Sequence, residues 1–114
     1  MLILRRNHLG PRNKLWEFPG GKQENGEDEL TCIKREVMEE INLKISSAEF
    51  FDCIEKEYED IYIELASYIS HVKEIPKINL TVHDDFKWID PVEFKNYEYP
   101  EANKSLLKKL YINY

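Results

Sequence analysis

The sequence predicts an α/β fold in which a mixed β-sheet lies between two helices, an α/β/α sandwich. Three observations carry the prediction. Leu30, Ile33, Val37 and Ile41 recur at helical spacing and mark a helix over about residues 27–41. Residues 48–58 and 61–72 are two long apolar and aromatic runs that read as strands. In the second, Ile61, Ile63, Leu65 and Ile69 alternate with Tyr62, Glu64, Ala66 and Tyr68. Leu106, Leu107 and Leu110 form the inward stripe of a final helix over 101–111. Strands interleaved with amphipathic helices bury both faces of a sheet.

The remaining elements follow from local chemistry. Residues 1–6 (MLILRR) are apolar and then basic, a strand running out into a polar loop. Gly10-Pro11 and the basic residues around them, His8 included, make 7–15 a surface loop. Trp16-Glu17-Phe18 is a short strand closed by Pro19-Gly20-Gly21, and the loop continues to Gly26. Glu27, Asp28 and Glu29 suit the first turn of the helix, where negative charge meets the positive end of its dipole. Glu59-Asp60 is the turn between the two long strands. Residues 73–80, with Ile75-Pro76, are loop or edge. Phe86 to Ile89 is a short strand ended by Asp90-Pro91, and 91–94 makes one helical turn.

At 114 residues the chain is expected to be a single domain over 1–114. A net charge of −6 with scattered basic residues argues against a nucleic-acid polymer as partner. It does not argue against a small polyphosphate accompanied by divalent cations. No apolar run reaches transmembrane length and no signal peptide is present, so no membrane partner and a cytoplasmic location are expected. Cys32 and Cys53 lack metal-type spacing and read as free thiols. His8, His71 and His83 also lack ligand spacing and read as structural or exposed.

The chemistry concentrates in residues 20–43. Glu36, Glu39 and Glu40, at i, i+3 and i+4, share one helix face. Three like charges there repel unless cations stand among them. Lys22 and Arg35 balance part of the charge. A hard cation such as Mg²⁺, which takes oxygen ligands and often substrate phosphates, is the alternative.

Gly21, Glu27, Arg35, Glu36, Val37, Glu39, Glu40 and Leu43 match eight of the nine fixed positions of the pattern G-x5-E-x7-R-E-U-x-E-E-x-G-U, where U is aliphatic. This resembles the Nudix box. Asn42 replaces the last glycine, where the helix ends and φ > 0 is needed, which Asn tolerates next best. The resemblance extends to WEFPGGK before the helix. It also covers the tail, Phe86-Lys87-Trp88-Ile89 and then Pro100-Glu101-Ala102-Asn103, which looks like the MutT branch of nucleoside triphosphate pyrophosphatases.

The resemblance implies a Nudix fold. Members of the branch begin with a strand that has no counterpart here, so either the start of this sequence is internal, or the sheet lacks that strand, or a partner chain, such as a second copy in a homodimer, fills its place. It implies hydrolysis of nucleoside triphosphates, oxidised purine nucleotides among them, to a nucleoside monophosphate and pyrophosphate, with Mg²⁺ or Mn²⁺ as cofactor. The alternatives are a hydrolase of another nucleoside diphosphate derivative and a non-catalytic nucleotide-binding module. By resemblance, Glu36, Glu39, Glu40 and the Gly20 carbonyl hold metal. Glu39 or Glu40 is the base, or Glu36 if the chain follows MutT. Glu27 pairs with Arg35, which orients the glutamates. Lys22 reaches a phosphate.

Arg6 touches the nucleotide or faces water. Phe18 and Trp16 flank a base or join the core. Asn103 reads a purine edge or caps the last helix. The extra metal-binding glutamate of many relatives falls at Val82, with His83, Asp84 and Asp85 beside it and Asp84 or Asp85 as substitutes.

Overall fold

The computed structural model describes residues 1–7 and 13–114. Of the loop expected over 7–15, residues 8–12, His8 among them, lie outside the described residues. Five strands, two α-helices and one 3₁₀ helix follow in order: β1 (Leu2–Arg6), β2 (Trp16–Glu17), α1 (Glu29–Ile41), β3 (Glu49–Glu57), β4 (Tyr62–Ile69), β5 (His83–Trp88), the 3₁₀ turn (Pro91–Asn96) and α2 (Glu101–Asn113).

Strand β1 lies at the centre of a three-stranded sheet in the order β2-β1-β5, and β3 pairs with β4 as a separate hairpin. Every ladder among the described residues is antiparallel. The mixing of directions expected from the sequence is therefore absent from these pairings, whereas the helix–sheet–helix layering is present.

The period of two in β1 produces that layering. Leu2 and Leu4 point to one side and pack with Val37 and Ile41 of α1. Ile3 points to the other, into a core made by Leu106, Leu107 and Leu110 of α2 with Trp16, Ile89, Phe94 and Tyr99. Phe51, Ile54, Leu65 and Ile69 of the β3–β4 hairpin pack against this second core. Ile3 and Leu4 are both fully buried. A polar residue at either position would lose a transfer energy of about 2 kcal/mol or more.

Helix α1 begins two residues later than its periodicity suggests, because Asp28 is its N-cap and accepts from the Thr31 N–H at 2.8 Å. It ends at Asn42, which sits at φ 56°, ψ 40° and donates its N–H to the Met38 carbonyl. This is the left-handed cap expected from the sequence. An alanine there meets the Cβ penalty of that region, whereas glycine does not. Asn42→Ala is expected to destabilise the protein by about 1 kcal/mol and Asn42→Gly to change it by only a few tenths. Urea unfolding midpoints check both, and equal midpoints for Ala and Gly would contradict the capping account.

Strand β5 starts at His83, earlier than the apolar pattern shows, and its register with β1 shifts between Arg5 and Arg6. Asp84 is the extra residue of this bulge, since Arg5 pairs with Asp85 and Arg6 with His83.

Candidate active site

The bulge decides which side chains meet. Arg6 shares the α1 face of β1 with Leu2 and Leu4, and its cross-strand partner His83 faces the same way. Trp16 enters the α2-side core, so Glu17, the next residue and the partner of Leu4, faces α1. Arg6 contacts Glu17 at 3.5 Å, and Glu17 meets His83 Nε2 at 2.8 Å.

Helix α1 presents its carboxylates toward this group. Glu40 is buried and accepts a hydrogen bond from the Gly20 N–H at 2.9 Å. Burial pushes its carboxyl up to about 7, and the nearby Glu17 and Glu36 add to the rise, against the pull of Gly20 and His83. Donor atoms of Glu17, Glu40 and His83 lie within 4.8 Å of one another. Thr81 secures the end of the helix by donating its hydroxyl to the Glu39 carbonyl at 2.8 Å and its N–H to that of Glu40 at 3.1 Å.

Arg35 is the organising cation. Its guanidinium holds Glu27 through Nε at 2.7 Å and Nη2 at 3.0 Å, the two-pronged geometry that suits a carboxylate. Nη1 reaches Glu36 at 2.8 Å and Glu39 at 3.2 Å, and Nη2 donates to the Lys22 carbonyl at 3.1 Å. These hydrogen bonds, those to Glu27 first, raise the Arg35 pKa further, and the same contact holds the Glu27 carboxyl down at about 2.

The loop fits closely against this array. A Cβ on Gly21 would lie 2.4 Å from the Glu36 carboxyl carbon, so Gly21 leaves the room that Glu36 occupies. Lys22 is exposed. Cys32 is buried beneath the loop and Cys53 is exposed, and both are free thiols as expected.

The other sequence-derived candidates stand apart from these carboxylates. Phe18 is half-buried and packs edge-on against Phe94, with ring centroids 6.4 Å apart, on the α2-side core. Trp16 is a core residue. Asn103 is half-buried in the first turn of α2. Pro100 stands at the N-cap and no side chain caps the helix, so the capping role considered for Asn103 is not taken up. Tyr58 from the end of β3 receives the Ala102 N–H on its hydroxyl at 2.9 Å instead.

Val82 is exposed, and Asp84 is engaged by Arg5 at 2.7 Å and by Lys14. These two cations, Arg5 foremost, hold the Asp84 carboxyl down at about 2. A depressed folded-state pKa stabilises the protein above the ordinary carboxylate pKa of about 4, and that contribution is lost as pH falls toward 2. Asp84→Asn is therefore expected to melt below the parent at pH 7, with the gap closing between about pH 4 and pH 2. A gap independent of pH in melting curves would contradict the ion-pair account.

Glu17 and His83 were not singled out from the sequence. Glu17 carried a usable signal, since strand alternation places it opposite a core tryptophan. His83 carries a signal only through the resemblance, which puts the relatives' metal-binding glutamate next to it at Val82, while the bulge that turns it inward depends on the pairing with β1.

A family model described as NUDIX domain matches residues 1–110. The chain belongs to the Nudix family. It is a MutT-like Nudix hydrolase, and its reaction class is pyrophosphohydrolysis of nucleotide derivatives. An 8-oxo-dGTP diphosphatase from Buchnera aphidicola subsp. Schizaphis graminum is 32% identical over 84% of this chain and 72% of that protein. A CTP pyrophosphohydrolase of Escherichia coli K12 is 27% identical over 95% of this chain and 79% of that protein. The crystal structure of a MutT protein from Methanosarcina mazei Go1 superposes with a TM-score of 0.87 at 18% identity, over 98% of this chain and 83% of the other, which supports the fold. No helix among the described residues is long and apolar enough to cross a membrane.

Proposed function

We propose that this Nudix hydrolase converts nucleoside triphosphates, purine nucleotides with oxidised bases among them, to the nucleoside monophosphate and pyrophosphate with Mg²⁺ or Mn²⁺. One observation carries the reading. Arg35 gathers Glu27, Glu36 and Glu39 into a single hydrogen-bonded array next to the buried Glu40. An uncompensated cluster of carboxylates opens outward by repulsion, whereas this one is held in place with oxygen donors left over.

The donor set suits a hard divalent ion, since carboxylates predominate and burial makes the negative charge of Glu40 expensive without a cation. Glu36, Glu39, Glu40 and the Gly20 carbonyl would hold it. When bound, such an ion offsets charge on phosphoryl oxygens and acidifies water.

The side chains do the rest. Arg35 and Glu27 fix the glutamate rotamers. Lys22 and Arg6 receive phosphate oxygens, and one of Glu36, Glu39 and Glu40 accepts the proton of the attacking water. Phe18 and Asn103, on the α2 side, receive the base. The names of relatives favour this substrate class, as 8-oxo-dGTP and CTP are both nucleoside triphosphates.

A panel of nucleotides assayed with and without Mg²⁺ tests the reaction. Pyrophosphate release that depends on the ion is expected, and release of orthophosphate alone would refute it.

Base selection is tested at Asn103, whose amide offers both a donor and an acceptor. Asn103→Ala is expected to raise KM for a guanine nucleotide by about tenfold or more and for a pyrimidine nucleotide much less, since an unpaired buried group costs about 1–3 kcal/mol. An equal loss for both bases would remove Asn103 from base reading. A larger effect on CTP would favour a pyrimidine substrate.

A further inference from the structure

We propose, resting on the reading that Glu40 faces a bound cation, that Glu17, Glu40 and His83 form a mixed imidazole–carboxylate metal site. It would take Mn²⁺ or a similar nitrogen-tolerant divalent ion in preference to Mg²⁺. Glu17 and His83 lie outside α1 and its glutamates, one on β2 and one on β5. Each of the three offers one donor atom, and these atoms lie within 4.8 Å of one another. Opposite ligands of a single ion with bonds of about 2.1 Å stand about 4.2 Å apart, so side-chain adjustments of a few tenths of an ångström close the set.

Three further features support the site. The His83 side chain is only 4% exposed, and its Nδ1 is buried with no hydrogen-bond partner among the described residues. Nε2 is the nitrogen that faces Glu17, at 2.8 Å, and in the tautomer with its proton on Nδ1 it would offer its lone pair to an ion. The cluster also sets two carboxyl groups against one contact from Arg6, at 3.5 Å. A divalent ion balances that charge. The donor types then set the preference. Mg²⁺ holds to oxygen, whereas imidazole suits later first-row ions and affinity rises along that series.

The arrangement also explains the β5 bulge. Without the extra residue, alternation from Trp88 and Phe86 would place Asp84 on the α1 face and turn His83 away from Glu40. The bulge exchanges an aspartate for a histidine at this point of the site.

The test is electron spin-echo spectroscopy of the full chain loaded with Mn²⁺, which detects nitrogen bound directly to the ion. Modulation from a coordinated imidazole nitrogen is expected, and it should convert to the ¹⁵N pattern in protein labelled with ¹⁵N-histidine. His83→Gln should abolish it, whereas His71→Gln should retain it. Calorimetry should show Mn²⁺ affinity falling by about tenfold or more in His83→Gln and Glu17→Gln, with Mg²⁺ affinity within about twofold of the parent. The labelling experiment needs no variant, so a His83→Gln protein that fails to fold leaves the proposal testable. Mn²⁺ binding without nitrogen modulation would overturn the site while leaving the glutamates of α1 as metal ligands. No binding of either ion would overturn both readings.

Discussion

Glu40→Gln is expected to fold like the parent and to lose activity by on the order of 10²-fold or more. Glutamine keeps the size of the side chain and an oxygen that accepts from the Gly20 N–H. It removes the negative charge that a cation requires. Because Glu40 is buried near Glu17 and Glu36, neutralising it also relieves desolvation and like-charge repulsion. The melting temperature should therefore stay level or rise while kcat falls. Glu39→Gln should lose activity without that gain in stability, since its side chain is 58% exposed. Steady-state kinetics and melting curves on the same samples separate these outcomes. A Glu40→Gln enzyme working near the parental rate would show that this carboxylate is not part of the machinery.

Gly21→Ala is expected to lower kcat by about 10- to 100-fold with little change in stability. The added Cβ would come within 2.4 Å of Glu36 Cδ and Oε2 and 2.7 Å of Oε1. The obstacle is the far end of a flexible side chain, so the fold accommodates the methyl group by moving the carboxylate. That movement gives up the 2.8 Å bond from Arg35 to Glu36. Gly21 is not among the residues with positive φ, so alanine meets no backbone penalty there. Alanine also restricts the unfolded chain, which favours the folded state by a few tenths of a kcal/mol. An alanine variant with a lowered melting temperature and unchanged kcat would place the role of Gly21 in folding instead of in positioning Glu36.

The two effects share a cause that is local in sequence, and locality explains what the sequence disclosed. Glu36, Glu39 and Glu40 meet because a helix fixes their spacing, and Glu27, just before the N-cap, meets Arg35 about two helical turns on. The stripes of α1 and α2 and the hairpin of β3 and β4 are likewise neighbour effects. Partners distant in sequence were less legible. The polar run His83-Asp84-Asp85 shows no apolar strand pattern, yet it is strand, because Arg5 and Arg6 on β1 supply its ladder partners and Arg5 a complementary charge for Asp84. His83 reads as an ordinary histidine until the bulge turns it toward Glu17. Strand β4 stops at Ile69 instead of reaching residue 72, since β3 offers no partner beyond Glu49. Alternation within β2 did point Glu17 toward α1, and only the identity of its neighbours was hidden.

The central place of β1 has a consequence for how the protein is made. Its partners on one side are residues 83–88, and the Met1 nitrogen donates to the Ile89 carbonyl, 88 positions along the chain. A nascent chain emerging from the ribosome can form α1 and the β3–β4 hairpin early, because their contacts are short in sequence. Leu2, Ile3 and Leu4 gain their full cover only after β5 and α2 have been synthesised. Closing so long a loop is a slow step compared with forming a helix or a hairpin. Until then residues 2–4 remain an uncovered apolar segment, the kind of segment that chaperones bind and that aggregates when they are absent.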